Sequence, residues 1–149
     1  MHKGIFPHTK LLGGLMHYDL LLVKELCDEV TFKASMRKED EVAIEFDEDT
    51  TLYLKNIETD DCLIGFDGTP WHHHGDLQFS DSRGYYTDVS YLDMVTDISL
   101  GKILVCELWE SGKLKDRYLI HCEYNDEFRY MQSNEKIVVR SFAISEVGE

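Results

Sequence analysis

Residues Glu41 to Phe46 alternate without a break, with Val42, Ile44 and Phe46 on one side and Glu41, Ala43 and Glu45 on the other. A period of two is the mark of an extended strand, because successive side chains point to opposite faces. The polar run Asp47-Glu48-Asp49-Thr50 follows, and Thr51-Leu52-Tyr53-Leu54-Lys55 then alternates again. Strands joined by so short a connection pair antiparallel, since a parallel return needs a crossover of a dozen residues or more. Such a hairpin has one apolar and one wet face, and the apolar face must be covered. Beyond the turn Glu58-Thr59-Asp60-Asp61, the run Cys62-Leu63-Ile64-Gly65-Phe66 reads as a third strand.

The stretch that covers this face is Leu12 to Val30. Leu12, Met16, Leu20, Val23, Cys27 and Val30 recur at spacings of three and four, which predicts a long amphipathic helix starting at or after Gly14. Residues 80–86 read as a loop. Val89 to Leu100 predicts a second, shorter helix, with Ser90 and Asp93 at capping-box spacing and Gly101 placed to end it, and a strand is the alternative reading of this segment. Ile103 to Trp109, Leu114 to Tyr124 and Lys136 to Ile144 are strand-like, and Phe128-Arg129-Tyr130 reads as a short extra strand. The expected class is α+β: an antiparallel β-sheet with one long N-terminal helix packed on it and a second short helix. With 149 residues and no linker-like segment, residues 1–149 read as a single domain.

Charge narrows the function classes. The chain carries a net charge of −14, and residues 39–61 alone hold ten acids against one base, Lys55. A field of that sign repels phosphate backbones and anionic lipid, so neither nucleic acid nor a membrane surface is an expected partner. It suits a basic protein, with Asp47, Glu48, Asp49, Asp60 and Asp61 in the hairpin turns as the expected contact residues. In charge and size alone, the chain is similar to immunity and inhibitor proteins that neutralise basic nuclease toxins. The first functional expectation is therefore a non-enzymatic binding module.

Four cysteines, Cys27, Cys62, Cys106 and Cys122, form no C-x-x-C pair, which leaves zinc-ribbon and thioredoxin-like readings without support. No apolar run reaches the ~20 residues of a membrane span, and the N-terminus lacks a signal-peptide core. Scattered thiols in such a chain read as reduced and mostly buried, and the expected compartment is the cytoplasm.

Chemistry has one natural address, Trp71-His72-His73-His74-Gly75-Asp76. In an extended backbone His72, His74 and Asp76 share a face while His73 points away. Two imidazoles and a carboxylate suit a divalent metal such as iron, zinc or manganese, the one cofactor class this chain suggests. The alternative expectation is thus a metal-binding protein or small metal-dependent enzyme, with His121 as a further candidate ligand. On the strand carrying His121, Arg117, Leu119 and Glu123 share its face with Glu107 opposite, which reads as the solvent side of a half-wet sheet. No G-x-S-x-G, H-E-x-x-H, P-loop or Rossmann pattern occurs, so no nucleophile or nucleotide site is marked and enzymatic status stays open.

Overall fold

In the computed structural model, which describes residues 17–126 and 133–144, the alternating run forms the hairpin it encodes. Strands β2 (Glu41–Asp47) and β3 (Thr50–Ile57) pair antiparallel, placing Val42 opposite Leu54 and Ile44 opposite Leu52. All four side chains are at most 1 % exposed. Flanking strands β1 (Lys33–Lys38), β4 (Asp61–Phe66) and β5 (His72–His74) extend the sheet in the order β1-β2-β3-β4-β5, every pair antiparallel. Strand β5 approaches β4 closely at Gly65, where any side chain would crowd its neighbours. A Cβ at Gly65, the residue opposite His72, would stand 2.5 Å from the Tyr53 hydroxyl and 3.1 Å from the Trp71 carbonyl oxygen.

The first helix is shorter than its apolar periodicity predicts. Helix α1 spans Leu20–Glu29, ten residues, and residues 17–19 are not helical; Leu12, Leu15 and Met16 lie outside the described residues. Two side chains account for the late start. Asp19 caps the helix by accepting from the Leu22 N–H at 3.1 Å, a standard N-terminal stop. Asn56 on β3 takes both backbone groups of Tyr18, accepting from its N–H at 2.7 Å and donating to its carbonyl at 3.0 Å. The chain before Leu20 is thus tied to the sheet. Within α1 the spacing of Leu20, Val23 and Cys27 does bury one stripe, packed on β1 and β2.

Strands β6 (Leu77–Ser80) and β7 (Tyr86–Val89) form a separate hairpin, so the expected loop 80–86 is the hairpin's connection over 81–85, with its end residues Ser80 and Tyr86 in the strands. Helix α2 (Tyr91–Ser99) follows, capped by Ser90, whose hydroxyl accepts from the Asp93 N–H at 3.0 Å. Gly101 ends it at φ +78°, the left-handed conformation that glycine adopts without strain. Strands β8 (Ile103–Glu110), β9 (Lys113–His121) and β10 (Glu135–Arg140) make a second antiparallel sheet, ordered β10-β8-β9. The strand expected at Phe128–Tyr130 lies outside the described residues.

The face of β9 read as wet is buried. Glu107 is 3 % exposed, Arg117 5 % and His121 7 %, and only Glu123, just past the strand, stays in solvent. Ile103, Val105 and Leu119 share that face and join one core cluster with Ile44, Leu52, Leu54 and Phe66 of the first sheet and Val23 and Ile98 of the helices. Alternation alone did not reveal this, because the charged residues on that face are matched to each other rather than to water. Glu107 Oε2 accepts from Arg117 Nε at 3.1 Å and from Arg140 at 3.3 Å, and its Oε1 accepts from Trp109 Nε1 at 3.2 Å. Arg117 also donates to the Asp49 carbonyl at 2.9 Å, and Arg140 pairs with Asp47 and Thr50, which ties the two sheets together. No helix among the described residues is long and apolar enough to cross a membrane.

Candidate functional site

Among the described residues strand β5 is an edge of the first sheet, and the histidines on it alternate as an extended chain must. His72 and His74 are exposed on one face with ring centroids 5.3 Å apart, edge to face. His73 turns to the other face, where its Nε2–H donates to the Asp76 carbonyl at 2.8 Å. Asp76 does not join the pair. Gly75, at φ +78°, breaks the alternation, and the Asp76 carboxylate accepts from the Tyr91 N–H at the start of α2, at 2.8 Å. The carboxylate beside His74 is Asp61 of β4, whose Oδ1 accepts from the His74 Nδ1–H at 2.8 Å. That hydrogen bond from His74, aided by the Cys62 N–H, holds the Asp61 carboxyl below the usual carboxylate range. Sequence reasoning missed Asp61 as a partner of His74. The antiparallel registers of β3 with β4 and β4 with β5 put it there, and neither was legible from spacing.

Trp71 precedes the strand half-buried, its ring centroid 6.0 Å from that of Phe66. Its N–H donates to Asp116 Oδ1 on β9 at 2.9 Å, which links this edge to the second sheet. Between them opens a cleft of about 420 Å³, lined among others by Trp71, His73, Phe79, Asp116, Tyr118 and Tyr124. His72 and His74 do not line it, because they face the opposite way.

His121 stands apart from that face and opens to a second cleft of about 560 Å³ with Asp93, Asp97, Lys102 and Glu123. It is packed between Phe79 and Tyr124, at centroid distances of 5.6 and 5.2 Å. Among the described residues, the one group of three donors within 4.8 Å of each other is His121, Cys122 and Glu123. Its chemistry does not suit a metal. His121 Nδ1 accepts from the Glu123 N–H at 3.0 Å, so the ring proton sits on Nε2 and neither nitrogen has a free lone pair. Cys122 is an exposed thiol at the end of the strand, while Cys27, Cys62 and Cys106 are buried.

Burial pushes the His121 imidazole below its ordinary range even though Asp97 and Glu123 pull the other way. The native state therefore prefers neutral His121 and the unfolded chain binds the proton more readily. Stability from this site is complete above the unfolded imidazole value of about 6.5 and is lost as the pH falls through it. Asp97, raised by burial, contributes with the opposite sign. The melting temperature should fall between pH 7.5 and 5.5, and H121Q should flatten that slope. Equal slopes in thermal melts of both proteins would mean that His121 does not titrate this way.

The five acids expected to contact a partner do not form one surface. Asp47, Glu48 and Asp49 turn the chain at one end of β3, and Asp60 and Asp61 at the other. Eight strand residues at ~3.3 Å each separate the two turns by roughly 25 Å. Asp47 is half-buried; its burial works against ionisation, but hydrogen bonds from Arg140, Asp49 and Thr50 keep its carboxyl below the usual range. It belongs to the link between the sheets, while Glu48 and Asp49 remain exposed. At the other end the meander brings two turns together: the Asn56 N–H donates to the Asp40 carbonyl at 2.9 Å. Exposed Glu39 and Asp40 thereby stand beside exposed Glu58 and Asp60, with Lys38 as the basic residue of the first turn. Comparison with protein-family models, with curated proteins and with solved structures finds no match to this chain.

Proposed function

We propose that the chain is a non-enzymatic binding protein for a basic protein, engaged by the carboxylates of Glu39, Asp40, Glu58 and Asp60. The observation that carries this reading is the Asn56–Asp40 backbone hydrogen bond, which joins two acidic turns into one exposed end of the first sheet. Adjacent like charges on a rigid sheet end raise the local field, and such a field steers a cationic partner and fixes its orientation. The overall charge of −14 works in the same direction.

Reversing Glu39, Asp40 and Asp60 to Lys should slow association with the basic protein recovered from the native source at low salt by roughly tenfold or more. Raising the salt should weaken the wild-type complex in parallel, because exposed charges are screened beyond about 10 Å at 0.1 M. Reversal of Glu48 and Asp49, at the far end of β3, should change association much less. Equal association rates for both variants and the wild type, or a complex indifferent to salt, would sink the reading.

A further inference from the structure

We propose that His72 and His74 form a binding site for a divalent transition metal of the zinc, nickel or copper kind, with Asp61 as the group that orients His74. The argument rests on which ring nitrogen carries the proton. His72 Nδ1 lies 3.1 Å from the Pro70 carbonyl oxygen, and His74 Nδ1 lies 2.8 Å from Asp61 Oδ1. A carbonyl and an ionised carboxylate can only accept, so both Nδ1 atoms must be donors. In the neutral imidazole that leaves an unprotonated Nε2 on each ring. Among the described residues, neither Nε2 has a hydrogen-bond partner.

Both rings are exposed on the same face of the edge strand, with centroids 5.3 Å apart. Metal-ligating histidines characteristically donate their other N–H to a carboxylate or a backbone carbonyl, which fixes the tautomer and strengthens the ligand. Here one ring has the carbonyl and the other the carboxylate. The remaining histidines of the strands have the reverse arrangement. His73 donates from Nε2 to the Asp76 carbonyl, and His121 accepts at Nδ1 and so carries its proton on Nε2.

Imidazole nitrogen is a borderline-soft ligand, which favours zinc, copper and nickel over magnesium or calcium. Among the described residues, His72 and His74 belong to no group of three His, Cys, Asp or Glu donors whose ligand atoms all lie within 4.8 Å of one another. The metal would therefore keep open positions for water or for a ligand brought from outside. The site is independent of the protein-binding reading, since reversing Glu39 or Asp40 leaves its ligands intact.

Two experiments on the untagged protein test it. Two-dimensional ¹H–¹⁵N NMR of the metal-free protein at neutral pH should show the Nδ1–H tautomer at His72 and His74 and the Nε2–H tautomer at His73 and His121. Calorimetric titration with zinc should then show one site, lost in H72A and in H74A and unchanged in H73A. D61N should weaken it by roughly tenfold or more, the usual cost of losing an orienting partner. Nε2–H tautomers at His72 and His74 would overturn the proposal whatever the variants do. So would absence of zinc binding, or equal loss in H73A, which would indicate loose surface chelation.

Discussion

Replacing Glu107 by Ala should destabilise the protein by about 3–5 kcal/mol, the range found when one member of a buried ion pair is removed. Glu107 is 3 % exposed and serves three donors at once: Arg117, Arg140 and the Trp109 indole. Without it, Arg117, itself 5 % exposed, keeps among the described residues only the Asp49 carbonyl as an acceptor for a full charge withdrawn from water. The cost is that of a stranded guanidinium rather than the net worth of the pair. The double variant E107L/R117M removes both charges and replaces them by apolar groups of similar bulk, which is often neutral or stabilising. It should recover most of the loss, with Arg140 still held by Asp47 and Thr50. Urea denaturation of the three proteins measures this directly. A cost below about 1 kcal/mol for E107A would show that water reaches the pair. A double variant as unstable as the single one would show that the geometry, not the stranded charge, is what matters.

That network marks the boundary of what pattern reading recovers. The hairpin β2–β3 was legible because Val42, Ile44, Leu52 and Leu54 alternate along it and all turn to the core, although Glu41 and Ala43 on the face read as wet are buried as well. Helix α2 was legible from Ser90 and Gly101, whose roles are local: a side-chain cap and a left-handed backbone residue. On β9 the same logic failed. Arg117 and His121 alternate with Tyr118 and Ile120, yet they lie on the face that packs toward the first sheet, their polarity satisfied by Glu107 and by the Glu123 N–H. Charge then no longer reports exposure. Helix α1 failed differently, because apolar spacing says where a helix would bury its stripe but not where a competing partner stops it. Asn56 is that partner, 38 positions away from Tyr18. Strand β1, Lys33-Ala34-Ser35-Met36-Arg37-Lys38, carries too weak an alternation to register and forms because β2 offers it an edge.

The candidate sites divide along the same line. His72 and His74 could be placed on a common face from their spacing of two, a property of the strand alone. Their fixed tautomers could not, because Asp61 and the Pro70 carbonyl reach them through sheet pairing and a turn. Asp76 was drawn into the same set only by assuming that extension continues past Gly75, where the backbone reverses sign in φ. The acidic block looked continuous because its residues are consecutive, whereas a meander sends alternate turns to opposite ends. Glu39 and Asp40 gain Glu58 and Asp60 as neighbours by topology, not by sequence proximity.

Ile44→Ala should cost about 2–5 kcal/mol, as truncation of a fully buried aliphatic does. Ile44 is 1 % exposed, lies between Ala34 on β1 and Leu52 on β3, and belongs to the cluster that both sheets and both helices share. The methyl groups removed leave a hollow bounded by backbone that is paired on both sides, so the site has little freedom to collapse. That pushes the expectation away from the lower limit. Val139→Ala on β10 provides the contrast: Val139 is 40 % exposed, and its loss should stay within roughly 0.5 kcal/mol. Chemical denaturation should give parallel unfolding slopes for both variants and the wild type, with only the Ile44 midpoint clearly shifted. Similar small costs for the two substitutions would mean that the first sheet does not bury its hairpin face. The packing of α1 and of the second sheet against it would then be wrong, and with it the placement of Glu107 and Arg117.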